Sequence, residues 1–145
     1  MQGLGRFALT SLLVVLAAGC DSGTSPDVVY ALDDVAPRPT PLIGWSTASL
    51  LYEYPEFARR AGIDGAVRVS VVVGRDGTSQ DPEIQSSPNE LLSEHALATV
   101  RALVWEPGEV DGAAVRVRGD VCAQYELEGT GVEAVGSTVF GWCGS

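Results

Sequence analysis

Three cysteines, one histidine and nineteen acidic side chains are the groups in this 145-residue chain that could do chemistry. Cys20, Cys122, Cys143 and His95 leave little material for a metal centre or a nucleophile–imidazole pair. His95 falls about 60° from the centre of an apolar helix face, so it reads as a polar residue on the helix flank. The adjacent acids Asp33 and Asp34 lie in a proline-rich stretch and read as solvation. No glycine-rich phosphate loop follows a strand pattern, and no nucleophile elbow occurs. Neither catalytic nor metal-binding residues are assigned, no cofactor or small-molecule substrate is expected, and the chain does not read as an enzyme.

Charge narrows the partners. Nine Arg and no Lys against nineteen acids give a net charge of −10. A phosphate-binding surface needs a basic stripe, so nucleic acid is excluded as a partner, and so is attachment to anionic lipid by charge alone. At 46% hydrophobic and 19% charged, the chain is compositionally an ordinary globular protein.

The first nineteen residues read as an address. Arg6 precedes a twelve-residue apolar run, Phe7 to Ala18, then Gly19 and Cys20. Twelve helical residues reach about 18 Å against roughly 30 Å of hydrocarbon, so the run is too short to span a membrane. Charge, short apolar core and small residues make a secretory signal peptide. The cysteine behind them resembles a bacterial lipoprotein signal, which implies cleavage between Gly19 and Cys20 and acylation of Cys20. Plain secretion of an unlipidated protein is the alternative. Acyl chains such as palmitate, at about 0.8 kcal/mol per buried CH₂, hold effectively permanently. Ala17 stands where such signals usually carry Leu, and Leu16 lies one place further back. Asp21 resembles an inner-membrane retention signal, which leans the periplasmic, lipid-anchored protein towards the inner membrane.

Residues 20–42 read as a flexible tether. They carry Pro26, Pro37, Pro39 and Pro41 without a sustained hydrophobic period. Within them Val28 to Leu32 is one apolar patch, free to dock on the domain or to cluster transiently.

Punctuated elements begin at residue 43. Ser46 to Tyr52 reads as a short helix capped by Ser46 or Thr47, and Pro55 opens a second, Glu56 to Ala61, ended by Gly62. Val67, Val69, Val71 and Val73 share one face of strand one, with Arg68 and Ser70 opposite. Gly74 to Gly77 is a turn in which both glycines can take positive φ. Strand two follows from Ser79 to Gln85, and Pro82 within it predicts a sheet edge. A helix capped by Ser87, with Pro88 first and Glu90 as capping-box partner, runs to about Leu103. Its apolar stripe is Leu92, Ala96, Val100 and Leu103, extended by Leu97 and Val104, with Glu94 and Arg101 opposite. Strand three then alternates from Val115 to Leu127. The order is helix–strand–strand–helix–strand. It predicts an α+β, two-layer fold: a three-stranded antiparallel sheet, order 2-1-3, with helices on one face. Strand three is then an edge with unpaired main-chain groups.

Across residues 43–128 the chain resembles the TonB C-terminal domain. The pieces are Leu42-Ile43-Gly44, Tyr54-Pro55 with Ala58, Gly62-Ile63 with Gly65, and the valine-alternating strand. They continue through Asp76-Gly77, Ser86-Ser87, Ala96, Val100, Trp105-Glu106-Pro107 and Asp111-Gly112. Leu103 stands where the family usually has Trp. The resemblance implies the same element order and a partner segment added as a strand at strand three. The docking edge it implies comprises Val115, Arg116, Val117, Arg118, Val121, Gln124 and Tyr125. The partner it implies is an envelope protein, with an outer-membrane TonB-dependent receptor the leading case. The alternative is an envelope scaffold or cell-wall-binding module that kept the fold and lost receptor docking.

Three departures bear on this. No spanning helix survives cleavage, so no mechanical link to an inner-membrane motor is expected; the tether is short; and a tail, residues 129–145, follows strand three. With Cys20 acylated, Cys122 and Cys143 read as a disulfide in an oxidising compartment, the alternative being two free thiols. The bond closes a loop of about 20 residues, worth roughly 3 kcal/mol in the chain-entropy model. The β-prone Val139-Phe140-Gly141-Trp142 then either adds a fourth strand beside strand three or packs on the face that Cys122 occupies. Trp45, Trp105 and Trp142 read as core or tail anchors.

Overall fold

A computed structural model describes residues 28–144. The segment expected to be a signal peptide, its expected cleavage site, Cys20 and Asp21 lie outside the described residues.

The first strand, β1 (Val29–Ala31), leads into a 3-10 turn (Leu32–Asp34), and β2 (Thr40–Pro41) follows. Helices α1 (Trp45–Leu51) and α2 (Glu56–Ala61) precede the hairpin β3 (Gly65–Val73) and β4 (Ser79–Ser86). Helix α3 (Glu90–Ala102) leads to the two-residue strands β5 (Trp105–Glu106), β6 (Glu109–Val110) and β7 (Ala113–Ala114). The long β8 (Arg116–Glu128) ends the expected set, and β9 (Val135–Trp142) is built by the tail.

The main sheet has five strands, not three, and is mixed, not antiparallel throughout. Its order is β1-β8-β3-β4, with β9 pairing β8 as well. Strand β8 is antiparallel to β3 along Val117 to Tyr125. On its other side β1 runs parallel to Arg116, Val117 and Arg118, and β9 runs antiparallel to Val121 through Glu128. Strand three, expected at an edge, is therefore covered on both sides. The chain supplies the covering strands from its two ends, one of them from the segment read as a tether. That segment is docked from β1 onward: Val35 is buried with Val115 and Val117, and Trp142 Nε1 donates to the Pro39 carbonyl at 2.8 Å. Its prolines interrupt regular structure without preventing packing.

At the opposite margin, β4 has β3 as its only neighbouring strand among the described residues. The register slips between Ser70 and Val72 where Asp81 takes φ 47°, so the proline follows a bulge on an edge strand. The Gly74–Gly77 turn closes with positive φ at Gly77 alone of its two glycines. A Cβ on Gly77 would lie 2.2 Å from the Trp105 carbonyl oxygen, so only glycine lets β5 approach the turn.

The three helices cover one face. Leu92, Ala96 and Val100 of α3 are fully buried against Val67, Val69, Val71 and Val73, while Glu94 and Arg101 are exposed. Val104, expected in the stripe, lies beyond the helix end and is 56% exposed. The caps are also shifted. Asn89, not Ser87, caps α3 by accepting from the Leu91 N–H, and Gly44 precedes α1 where Ser46 or Thr47 was expected. Helix α2 ends on the left-handed Gly62 as its sequence predicts. Trp45, Trp105 and Trp142 meet in the core, the first edge-on to both others and those two stacked 5.1 Å apart.

Candidate interaction site

The residues expected to receive a partner are distributed between the core and a sheet interior. Val115, Val117 and Val121 are fully buried, and Tyr125 is 1% exposed. Arg116 donates to the Gln80 side chain at 3.1 and 3.2 Å. Arg118 faces Ala31 on one flank and Val72 on the other, and Gln124 lies between Val139 and Ala66. Alternation in strand β8 explains the split: odd positions point at the helices, and even positions reach the outer face. No main-chain row is left open between Val121 and Glu128, because β9 occupies that row.

Two features hold β9 in place. Cys122 and Cys143 form a disulfide on the face away from the helices. On the core face Phe140 and Trp142 are buried. The Cys143 N–H donates to the Asp120 carbonyl at 2.9 Å, which fixes the ladder's alternation. Odd positions of β9 turn their main chain towards β8, and even positions turn theirs away. The Phe140 N–H follows that rule and donates to Ser49 Oγ of α1 at 3.0 Å.

Under this seam lies the histidine. His95 Nδ1 is 2.7 Å from the Tyr125 hydroxyl, and the ring also bonds the Glu53 main chain. A neutral imidazole has one donor, so Nδ1 accepts from Tyr125 when the other nitrogen serves Glu53. Burial pushes the His95 pKa down and that of Tyr125 well up, and Tyr54, also raised by burial, stacks edge-on to Tyr125. The expected flank position is observed, with a structural hydrogen bond added. Among the described residues no cluster of three or more His, Cys, Asp or Glu could hold a metal ion, and no helix is long and apolar enough to cross a membrane.

The helix–hairpin–helix–strand core is the unit that known proteins share. The profile of the Gram-negative bacterial TonB protein C-terminal domain matches residues 52–127, just over half of the chain. This chain belongs to the TonB C-terminal family. Comparison with curated proteins and with solved structures finds no match. Domains of the TonB C-terminal family are periplasmic envelope modules that bind proteins, receptors among them, and are not enzymes. The match stops within β8, so β1 and β9, which cover that strand, lie outside the shared TonB C-terminal unit.

Residue-by-residue reading of the sequence missed the groups around the outer edge of β9. Ser49 and Arg59 looked like ordinary helix-surface residues. The sequence signal that points to them is indirect: a β-prone tail after a β-strand needs something to finish its far edge.

Proposed function

We propose that this protein is a lipid-anchored periplasmic module that holds an envelope partner, in the first instance an outer-membrane TonB-dependent receptor, by adding a segment of that partner to its sheet. Family membership over residues 52–127 supports the partner class. The observation that carries the finer reading is the covered β8: the receiving edge is held by β9, which the partner segment replaces. Acylation at Cys20 after cleavage behind Gly19 supplies the anchor. From Cys20 to Val29 the chain has nine Cα steps, at most about 32 Å, so the partner segment must come close to the anchoring membrane. Asp21 leans that membrane towards the inner one.

The same covered strand favours a second reading, an envelope scaffold or cell-wall-binding module without receptor docking. Affinity purification of the acylated chain from detergent-solubilised envelopes separates the two. Recovery of a TonB-dependent receptor is the expected result. Repeated absence of any receptor, together with co-sedimentation with purified cell wall, selects the scaffold. Metabolic labelling with an acyl-chain analogue tests the anchor: wild type is expected to take label, and a labelled Cys20→Ala variant contradicts the assignment.

A further inference from the structure

The sheet face turned away from the helices is graded in charge. Even positions of β8 reach that face, and along the strand they run from Arg116 and Arg118 through Asp120 to Glu126 and Glu128. Neighbouring strands follow the same grade. Glu83 of β4 lies beside Ser70, which is itself opposite Asp120, and Asp120 meets Arg68 at 3.7 Å. The face is therefore basic where β8 begins and acidic where it ends.

The two arginines at the basic end are held ready. Arg116 donates Nε and Nη2 to the Gln80 side chain, which fixes the guanidinium and leaves most of its N–H groups for another acceptor. Gln80 is an amide, so this pairing does not neutralise the charge. Arg118 is exposed and makes no ion pair among the described residues. It lies in register between Ala31 and Val72. Val72 is 2% exposed on this helix-free face, so the stems of Arg118 and Gln80 on either side shield it while the guanidinium stays in water. Beside them a hollow of about 220 Å³ is lined by Arg75, Asp76, Gln80 and Arg116. Its carboxylate, Asp76, accepts from the Thr78 N–H and hydroxyl, bonds that hold its pKa below the usual range.

The path of the chain says what this end faces. Strand β1 runs parallel to β8 and starts with Val29 opposite Arg116, so the segment leading back to Cys20 leaves the domain at the basic end. Nine Cα steps, at most about 32 Å, separate Val29 from the acyl anchor. We propose that Arg116 and Arg118 rest on the phosphates of anionic phospholipids in the anchoring bilayer and stand the domain with the acidic end of β8 pointing away from it. Charge alone does not hold a chain of net charge −10 on such a surface. The acyl chains hold it, and the arginines choose the face. Once the anchor has raised the local concentration of lipid, a few charge-assisted contacts are enough to select one orientation. Repulsion of Glu126 and Glu128 by the same surface adds to the bias. The inference rests on the acyl-anchor reading and adds the orientation of the domain.

The test places the acylated, disulfide-bonded chain on lipid nanodiscs made of phosphatidylcholine alone or with about 30% phosphatidylglycerol. A trace of lipid with a gadolinium-chelate headgroup broadens the NMR signals of amides that come near the bilayer. The ratio of broadening at residues 116–118 to that at residues 126–128 is expected to be at least threefold higher in the anionic disc. Arg118→Glu, at an exposed position, is expected to reduce that gain, and Arg116→Glu added to it to abolish the gain. Arg101→Glu on α3 is expected to leave it unchanged. Raising the salt from about 50 to about 500 mM is expected to erase it. An equal ratio in the two discs, or a gain that survives both substitutions, overturns the membrane contact while the anchor stands. A chain that leaves discs of both kinds overturns the anchor and the contact together.

Discussion

The two outer margins of the sheet are protected in opposite ways. The β4 margin is irregular: the pairing with β3 shifts register twice, Asp81 and Pro82 bulge, and the acidic Glu83 follows. Such an edge offers a partner strand no continuous ladder. The β9 margin is regular and is covered from outside: Ser49 of α1 accepts from the Phe140 N–H, Thr138 is buried, and Arg59 of α2 holds the Val132 and Ala134 carbonyls just before the strand. One margin is protected by its own irregular backbone, the other by side chains and a helix laid against a regular strand.

The largest way to break this contrast is to loosen β9 itself. Trp142 stacks on Trp105, touches Trp45 and bonds the Pro39 carbonyl. Trp142→Ala is expected to cost about 3–5 kcal/mol in urea unfolding, with amides of β8 losing protection alongside those of β9. Loss confined to residues beyond 135 would show that β8 does not need its cover. Next comes the covalent tie. Replacing both Cys122 and Cys143 by Ser is expected to cost about 3 kcal/mol by the same urea measurement. Phe140 and Trp142 are buried independently of it, so the β8–β9 register is expected to persist in the NMR spectrum.

Smaller changes sharpen the contrast. Ser49→Ala removes the acceptor of the Phe140 N–H and is expected to cost about 1 kcal/mol, while leaving that main-chain donor of β9 without its cover. Faster exchange of the Phe140 amide checks it. The smallest effect is on pH dependence. Burial lowers the His95 pKa, so the unfolded chain takes up the proton first as pH falls. Stability is full above the ordinary histidine range and declines as pH drops through it. The urea midpoint is expected to fall between pH 7.5 and 5.5, and to fall less in His95→Gln; an equal fall in both contradicts this role for His95.

What could be read from the sequence was whatever repeats at short range. The valine alternation of β3, the α3 stripe, the Gly62 cap and the edge proline each follow from residues within a few places of one another. The pieces that escaped are long-range. Strand β1 is three residues long and forms only because β8, about ninety residues later, offers it a parallel partner. The prolines around it suggested a solvated tether, yet the Pro39 carbonyl is where the Trp142 indole finds its acceptor. The tail could be narrowed to two placements and no further, since Cys122 is reached equally by a strand beside it or a segment across it. The β9 margin draws Ser49, Arg59 and Thr138 from three separate elements, and no local pattern joins them.

Everything functional here turns on the tail occupying the strand edge that a partner is otherwise expected to use. Hydrogen exchange of the native, disulfide-bonded chain, read at the Cys122, Gln124 and Glu126 amides, tests this most directly, because the ladder turns those three towards β9. Protection comparable to the β3-facing amides of Val121 and Ala123 is the expected result. Exchange as fast as that of exposed loop amides would place the tail off the sheet and contradict the covered edge.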